Sequence, residues 1–276
     1  MSGLEGRVAF ITGAARGQGR AHALRLAREG VDIIAVDICE NIASMTYPNA
    51  SDDDLAETVR LVEKEDRRIV ARKADVRDFA ALSQAFGDGL SELGRVDIIL
   101  ANAGIIRMGS ESEDFLSDWN DVIDTNLTGV FHTVRAALPA LREGGRGGSI
   151  VITSSTAGLK ASASLFASGM AYASAKRGLV ALMQGLASYL APEWIRVNTI
   201  HPTGVASGMT MNEAMMKLFE EASAGGANSI SGMQNALPIE MLQPEDVANA
   251  VAFLVSDEAK FITGTEWALD AGFMIR

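Results

Sequence analysis

The stretch from Val8 to Gly30 constrains this chain more than any other. Val8-Ala9-Phe10-Ile11 is a short apolar, β-forming run, followed at once by Thr12-Gly13-Ala14-Ala15-Arg16-Gly17-Gln18-Gly19. From Arg20 to Glu29 the apolar period becomes helical, and Gly30 is a natural stop. A strand that runs through glycines straight into a helix is half of a parallel strand–helix–strand unit. The pattern then repeats. Strands are predicted at Val31–Val36, Ile69–Arg72, Val96–Ala101, Ser149–Thr153 and Ile195–Ile200. Helices are predicted between them at Leu55–Glu65, Phe79–Leu93, Trp119–Leu141 and Met170–Leu190.

The strands are continuous in Val, Ile and Leu rather than alternating, which is the pattern of burial on both faces. The expected fold is therefore α/β, a Rossmann-type doubly wound parallel sheet in three α/β/α layers. A length of 276 residues fits one domain spanning 1–276, and no linker interrupts it. A net charge of −11 argues against nucleic acid as a partner, because phosphate backbones are bound by basic faces. The single cysteine, Cys39, excludes an internal disulfide and a cysteine-based zinc site and fits a reducing, cytoplasmic setting. No apolar run is long enough to span a bilayer, and Met1–Arg7 is not expected to be a signal peptide.

The glycines suggest what the first turn does. A pyrophosphate needs backbone N–H groups, the positive end of a helix dipole and no Cβ in the way. Gly13, Gly17 and Gly19 meet that need, with Arg16 and Gln18 in the same loop. Their G-x-x-x-G-x-G spacing differs from the commoner G-x-G-x-x-G, and a plain strand-to-helix turn is the competing reading. Asp37 closes the second strand, where a carboxylate accepts hydrogen bonds from an adenosine ribose and repels a 2′-phosphate. That favours NAD over NADP, although Arg16 pulls the other way. Further on, Tyr172-Ala173-Ser174-Ala175-Lys176 puts a phenol and an ammonium on one helical face. A nearby cation favours the phenolate, which would make the phenol a usable base. Ser154 and Ser155 sit at the carboxyl end of a strand, where open α/β sheets place ligands.

Together these residues resemble the short-chain dehydrogenase/reductase family over roughly residues 5 to 275. The matching motifs are Thr12–Gly19, Asp75-Val76, Asn102-Ala103-Gly104, Asn126, Ser155, Tyr172 with Lys176, and Arg196-Val197-Asn198. Within it the chain is similar to the NAD-dependent, carveol-dehydrogenase-like group associated with mycofactocin. That likeness rests on residues 6–12, Val36-Asp37-Ile38-Cys39 and His201-Pro202-Thr203-Gly204-Val205.

The resemblance implies an enzyme that interconverts a secondary alcohol and a ketone with NAD, and it implies the role of each residue. Tyr172 would be the acid–base group, Lys176 would lower its pKa and hold the nicotinamide ribose, and Ser155 would bind the substrate oxygen. Asn126 would hold a relay water behind Lys176; a structural kink is the alternative. Asp75 and Val76 would contact adenine, and Asn102, Ala103 and Gly104 would line the cofactor. Ile38 and Val205 complete the implied cofactor set. A homotetramer and an external redox partner, mycofactocin, are implied as well. An epimerase or dehydratase that retains NAD, or a non-catalytic dinucleotide binder, remain as alternatives.

Three departures from the family pattern follow. Residues 38–68 are longer than a minimal crossover, with Tyr47-Pro48-Asn49-Ala50-Ser51 as a loop and Ser51 capping the helix. This insertion either folds over the adenosine half and hinders cofactor exchange, or is a solvated acidic loop. The gap between Ser155 and Tyr172 is wide, and its small residues around Lys160–Gly169 would lengthen a loop over the substrate. Ser154 is the competing catalytic serine. Residues 205–240 are expected to form a substrate lid with hinges at Gly225-Gly226 and Gly232. Half of the twelve methionines, Met209, Met211, Met215, Met216, Met233 and Met241, lie within residues 209–241, suggesting an apolar substrate. Met108, Ala163, Leu165 and Phe166 would add to that wall. His22, His132 and His201 make no metal or triad set and are expected to be packing or surface residues.

Overall fold

The computed structural model describes residues 3–107, 112–160, 166–213 and 235–276. Seven parallel strands form one sheet in the order β3-β2-β1-β4-β5-β6-β7. They are β1 (Val8–Thr12), β2 (Asp32–Asp37), β3 (Ile69–Lys73), β4 (Ile98–Ala101), β5 (Gly148–Thr153), β6 (Ile195–Pro202) and β7 (Glu266–Leu269). The helices are α1 (Gly17–Ala27), α2 (Asp52–Glu63), α3 (Phe79–Leu93), α4 (Phe115–Ile123), α5 (Gly129–Glu143), α6 (Ala167–Leu190) and α7 (Pro244–Val255). β7 is an addition to the predicted strands; its alternating, half-exposed Glu266-Trp267-Ala268-Leu269 lacks the continuous apolar run of the others.

The central strands are buried on both faces. In β1, Val8 and Phe10 enter the layer built with α3, α5 and α6, while Ala9 and Ile11 enter the layer built with α1 and α7. Because the chain leaves β1 outward to β2 and β3 and returns to β4 on the other side, the order reverses between β1 and β4. A crevice opens there, at the carboxyl ends of the strands.

The predicted helix from Trp119 to Leu141 is two helices joined by a π turn at Asp124–Thr128. Its cause is Asn126, fully buried, whose Nδ2 donates to Val122 O and Ile105 O at 2.8 Å each. A side chain that inserts into the helical ladder widens it by one residue. α2 begins where its cap predicts: Ser51 Oγ accepts from Asp54 N, and the Asp54 carboxylate accepts from Ser51 N.

Candidate active site

The glycine turn is packed too tightly for a side chain at Gly13 or Gly19. A Cβ on Gly19 would lie 1.9 Å from Gly13 O, and one on Gly13 would lie 2.9 Å from Ala103 Cα. Gly13 and Gly17 also hold φ of +68° and +54°, in the left-handed region that disfavours side chains. α1 starts at Gly17 with no side-chain cap and no acidic residue in its first turn. Its first N–H groups therefore face the crevice unsatisfied by the protein, the arrangement that receives a phosphate. Gln18 Oε1 is buried there without a partner.

Asn102 fixes one wall of the crevice. Its Nδ2 donates to Thr12 O and Gly13 O at 3.1 and 3.3 Å, and its Oδ1 accepts from Thr153 Oγ1. Ala103 and Gly104 follow it, and a Cβ on Gly104 would come within 2.7 Å of Asn126 Oδ1 and 3.6 Å of Lys176 Nζ. Asp37, nearly buried at the tip of β2, accepts from Ala15 N at 2.9 Å and Cys39 N at 3.4 Å. Burial pushes its carboxyl up, and those N–H donors pull it back toward the charged form. One donor on each oxygen leaves lone pairs for a ribose diol.

Ser155, Tyr172 and Lys176 come together at the carboxyl ends of β5 and β6. Tyr172 and Lys176 share the inner face of α6, with Lys176 Nζ 5.5 Å from the phenol ring centre. Ser155 stands close enough to the Tyr172 hydroxyl to favour its charged form. Ser154 is a different case, since its Oγ donates to Lys176 O at 2.9 Å inside the protein. That engagement separates the two serines. His201, fully buried, holds Ser155 from behind: Nδ1 lies 2.9 Å from Ser155 O and Nε2 2.8 Å from Thr199 Oγ1. A carbonyl only accepts, so Nδ1 carries the hydrogen. Sequence reasoning missed this support, because one histidine after a strand carries no signal of its partner.

The geometry bears on two implied roles. Burial is the largest influence on the Tyr172 phenol and pushes its pKa up, with the Ser155 side chain pulling down. Lys176 lies over the ring, but its Nζ donates to Thr153 O at 2.8 Å, and burial brings its own pKa down to about 7. The Asn126 carboxamide is anchored in the fold, since Oδ1 accepts from Ile105 N at 3.2 Å while Nδ2 serves two carbonyls. Its side chain fixes the π turn and the wall beside Gly104, and Oδ1 keeps one acceptor site free.

The adenine contacts fare differently. Asp75 is tied to Arg77, which also reaches Asp121 at 2.5 Å, and the Val76 side chain is in the core against Gly129. Val76 O is taken by His132 Nδ1 at 2.9 Å. The Asp75 side chain stays partly exposed, whereas Val76 is buried. His22 is fully buried with neither ring nitrogen in a normal hydrogen bond, and burial lowers its pKa to about 4.

The insertion is not a solvated loop. Ile42 and Met45 join an apolar cluster with Ile38, Ile105, Val122, Ala171 and Tyr172, so it reaches the catalytic helix rather than the adenosine end alone. Tyr47, buried, accepts from Ile106 N at 3.3 Å, and the adjacent Pro48 O accepts from Arg16 Nη2 at 2.5 Å. Ser44 Oγ donates to Asp121 at 2.5 Å. Residues 47–48 thus tie the loop after β4 to the glycine turn across the crevice. Arg16 is part of that bridge, and its guanidinium also lies against Gly208, where a Cβ would be 2.8 Å from Cζ.

Val205 is fixed by a bridge to Leu242 and by Thr210, whose Oγ1 donates to Val205 O at 2.5 Å. Of the expected lid, residues 214–234, with Met215, Met216, Met233 and the glycine hinges, lie outside the described residues. So do Met108, Ala163 and Leu165. Among the described residues no cluster of His, Cys, Asp and Glu could hold a metal, and no helix is long and apolar enough to cross a membrane.

A parallel sheet with a glycine cradle at its switch point and a Ser–Tyr–Lys set beside it defines a dinucleotide-dependent oxidoreductase fold. The sequence profile described as short chain dehydrogenase matches residues 7–217. The (-)-trans-carveol dehydrogenase of Rhodococcus erythropolis is 44% identical over 281 residues, covering 100% of both chains. The crystal structure of carveol dehydrogenase from Mycobacterium avium in complex with NAD matches with a TM-score of 0.91, 46% identity and full coverage of both chains. A short chain dehydrogenase from Mycobacterium paratuberculosis bound to NAD matches with a TM-score of 0.91 and 43% identity, covering 99% of this chain and 100% of that one. The chain belongs to the short-chain dehydrogenase family.

Proposed function

We propose that the protein is an NAD-dependent oxidoreductase interconverting a secondary alcohol and a ketone on an apolar, cyclic or terpenoid-like substrate of the carveol type. The observation that carries this is the Ser155, Tyr172 and Lys176 set beside an uncapped helix start. Gly13, Gly17, Gly19 and the first N–H groups of α1 would hold the pyrophosphate, and Asp37 the adenosine ribose. Gly104 and Lys176 would face the nicotinamide ribose. When bound, NAD supplies the acceptor for the hydride from the carbinol carbon. Ser155 Oγ donates to the substrate oxygen, Tyr172 takes the alcohol proton, and burial keeps that phenol protonated until substrate arrives. In reduction Tyr172 returns the proton.

The bridge at Tyr47-Pro48 supports slow exchange of NAD, since the crevice it crosses is the dinucleotide path. An external carrier such as mycofactocin would then reoxidise the bound cofactor. A homotetramer in the cytoplasm is part of the same reading. The test is to denature purified protein and identify released dinucleotide by mass spectrometry, alongside turnover of cyclic secondary alcohols. NAD released in near-equimolar amount and alcohol oxidation are the expected results; NADP, or no oxidation of any secondary alcohol, would overturn the reading.

A further inference from the structure

The opposite end of the sheet carries a second constructed cavity. It has a volume of about 430 Å³ and lies under the amino ends of β1, β4, β5 and β6, far from Ser155 and Tyr172. Arg7, Arg95, Arg146, Arg196 and Lys260 line it, against only two carboxylates, Asp97 and Asp257. Asp97, almost buried, is shared by Arg95 at 2.6 Å and Arg146 at 3.4 Å, and Asp257 pairs with Arg7 at 2.5 Å. Three positive charges are left over on a chain whose net charge is −11. Arg196 is the most costly of them. It is buried, its bonds among the described residues go to the carbonyls of Ser256 and Ile262, and burial and Arg7 disfavour its charge while Asp257 favours it. Lys260 has no carboxylate partner among the described residues.

A smaller cleft of about 310 Å³ adjoins it, sharing Gly147 and Trp194 and lined by Leu141, Pro192 and Ile195. Trp194 stands between the two with 68% of its surface exposed and a φ of +58°, a left-handed backbone that bulky residues rarely adopt. Strain at an exposed aromatic beside a pocket is a reason to look for a ligand. Gly147 is needed for the approach, because a Cβ there would lie 2.7 Å from Trp194 O. Guanidinium forks bind phosphate oxygens, and an exposed indole accepts a stacked base.

We propose that this end of the sheet is a nucleotide site separate from the dinucleotide crevice: a nucleoside di- or triphosphate places its phosphates among Arg146, Arg196 and Lys260 and its base on Trp194. The experiment uses protein saturated with NAD, titrated with ADP, with tripolyphosphate and with adenosine at constant ionic strength, and followed by tryptophan fluorescence and calorimetry. ADP is expected to bind saturably at one site per chain, more tightly than either fragment. The double variant Arg146→Ser/Lys260→Ser should weaken ADP at least about tenfold, as loss of charge-assisted phosphate bonds requires. Trp194→Gly removes the strained side chain without a folding cost. It should abolish the fluorescence change and weaken ADP about tenfold, while leaving tripolyphosphate unchanged.

Absence of saturable binding, binding that vanishes when NAD is saturating, or binding indifferent to the basic double variant would each overturn the site. ADP binding no tighter than tripolyphosphate would overturn the base-stacking half of the proposal.

Discussion

The crevice has a floor and a bridge, and they are built in different ways. The floor is made of regular elements: Ser155 follows β5, Tyr172 and Lys176 lie on α6, and the glycine turn joins β1 to α1. Its groups are held by buried bonds, such as His201 on Ser155 O and Lys176 on Thr153 O. The bridge is an irregular loop held by a few contacts to main chain, Arg16 on Pro48 O and Tyr47 on Ile106 N. In the proposed function one region carries the chemistry and the other controls access. They can therefore be broken separately.

The largest effect belongs to the floor. Tyr172→Phe removes only the phenol oxygen and its proton, and should lower kcat by about 10²–10⁴-fold, the range of a lost general acid–base. NAD affinity should be unchanged, since the crevice keeps its shape; isothermal titration beside steady-state kinetics checks both. Asp37→Ala comes next. Loss of the ribose acceptor should weaken NAD by roughly tenfold or more and narrow its advantage over NADP. A wild type that prefers NADP would show that Arg16, despite its bond to Pro48, meets a 2′-phosphate.

The bridge gives smaller effects of another kind. Arg16→Ala and Tyr47→Phe each disturb one attachment. Each should raise the NAD dissociation rate by about 3–10-fold, the worth of one net hydrogen bond, with kcat at saturating NAD unchanged. Tyr47 remains protonated throughout, its pKa being pushed up to about 12 by burial. Dissociation rates equal to wild type in both variants would show that the bridge does not control exchange.

The smallest effect on function lies behind the floor, at His22. Its pKa is about 4 in the fold against 6.5 when solvated, so between those values the unfolded chain binds more protons. Stability should fall as pH drops from about 6.5 to about 4, by on the order of 3 kcal/mol. His22→Leu should remove that slope, as Tm measured across the window would show; parallel curves for both proteins would contradict it.

The sequence was legible where one residue type does one job in a regular element. The glycines, Asp37 and the Tyr172–Lys176 pair could be read because backbone approach, a strand tip and helical periodicity leave marks in sequence. The helix boundary near Asn126 could not, since its π turn depends on a carboxamide meeting Ile105, which is distant in the chain. The bonds of Asp75 to Arg77 and of Val76 O to His132 were not legible either, since neither partner is marked by the motif. Tyr47 left a weak mark, as one of three tyrosines in the chain set within a polar loop. Its partner is a main-chain N–H, which no sequence pattern encodes.

The central claim is that Tyr172 moves the alcohol proton while the hydride goes to NAD held beneath the bridge. It is tested most directly by single turnover: protein as purified, with no added cofactor, mixed with a cyclic secondary alcohol and followed by the absorbance of reduced nicotinamide. The account predicts close to one equivalent of NADH per chain in the wild type, and none on the same timescale in Tyr172→Phe with its dinucleotide still bound. Equal reduction in both proteins would contradict it.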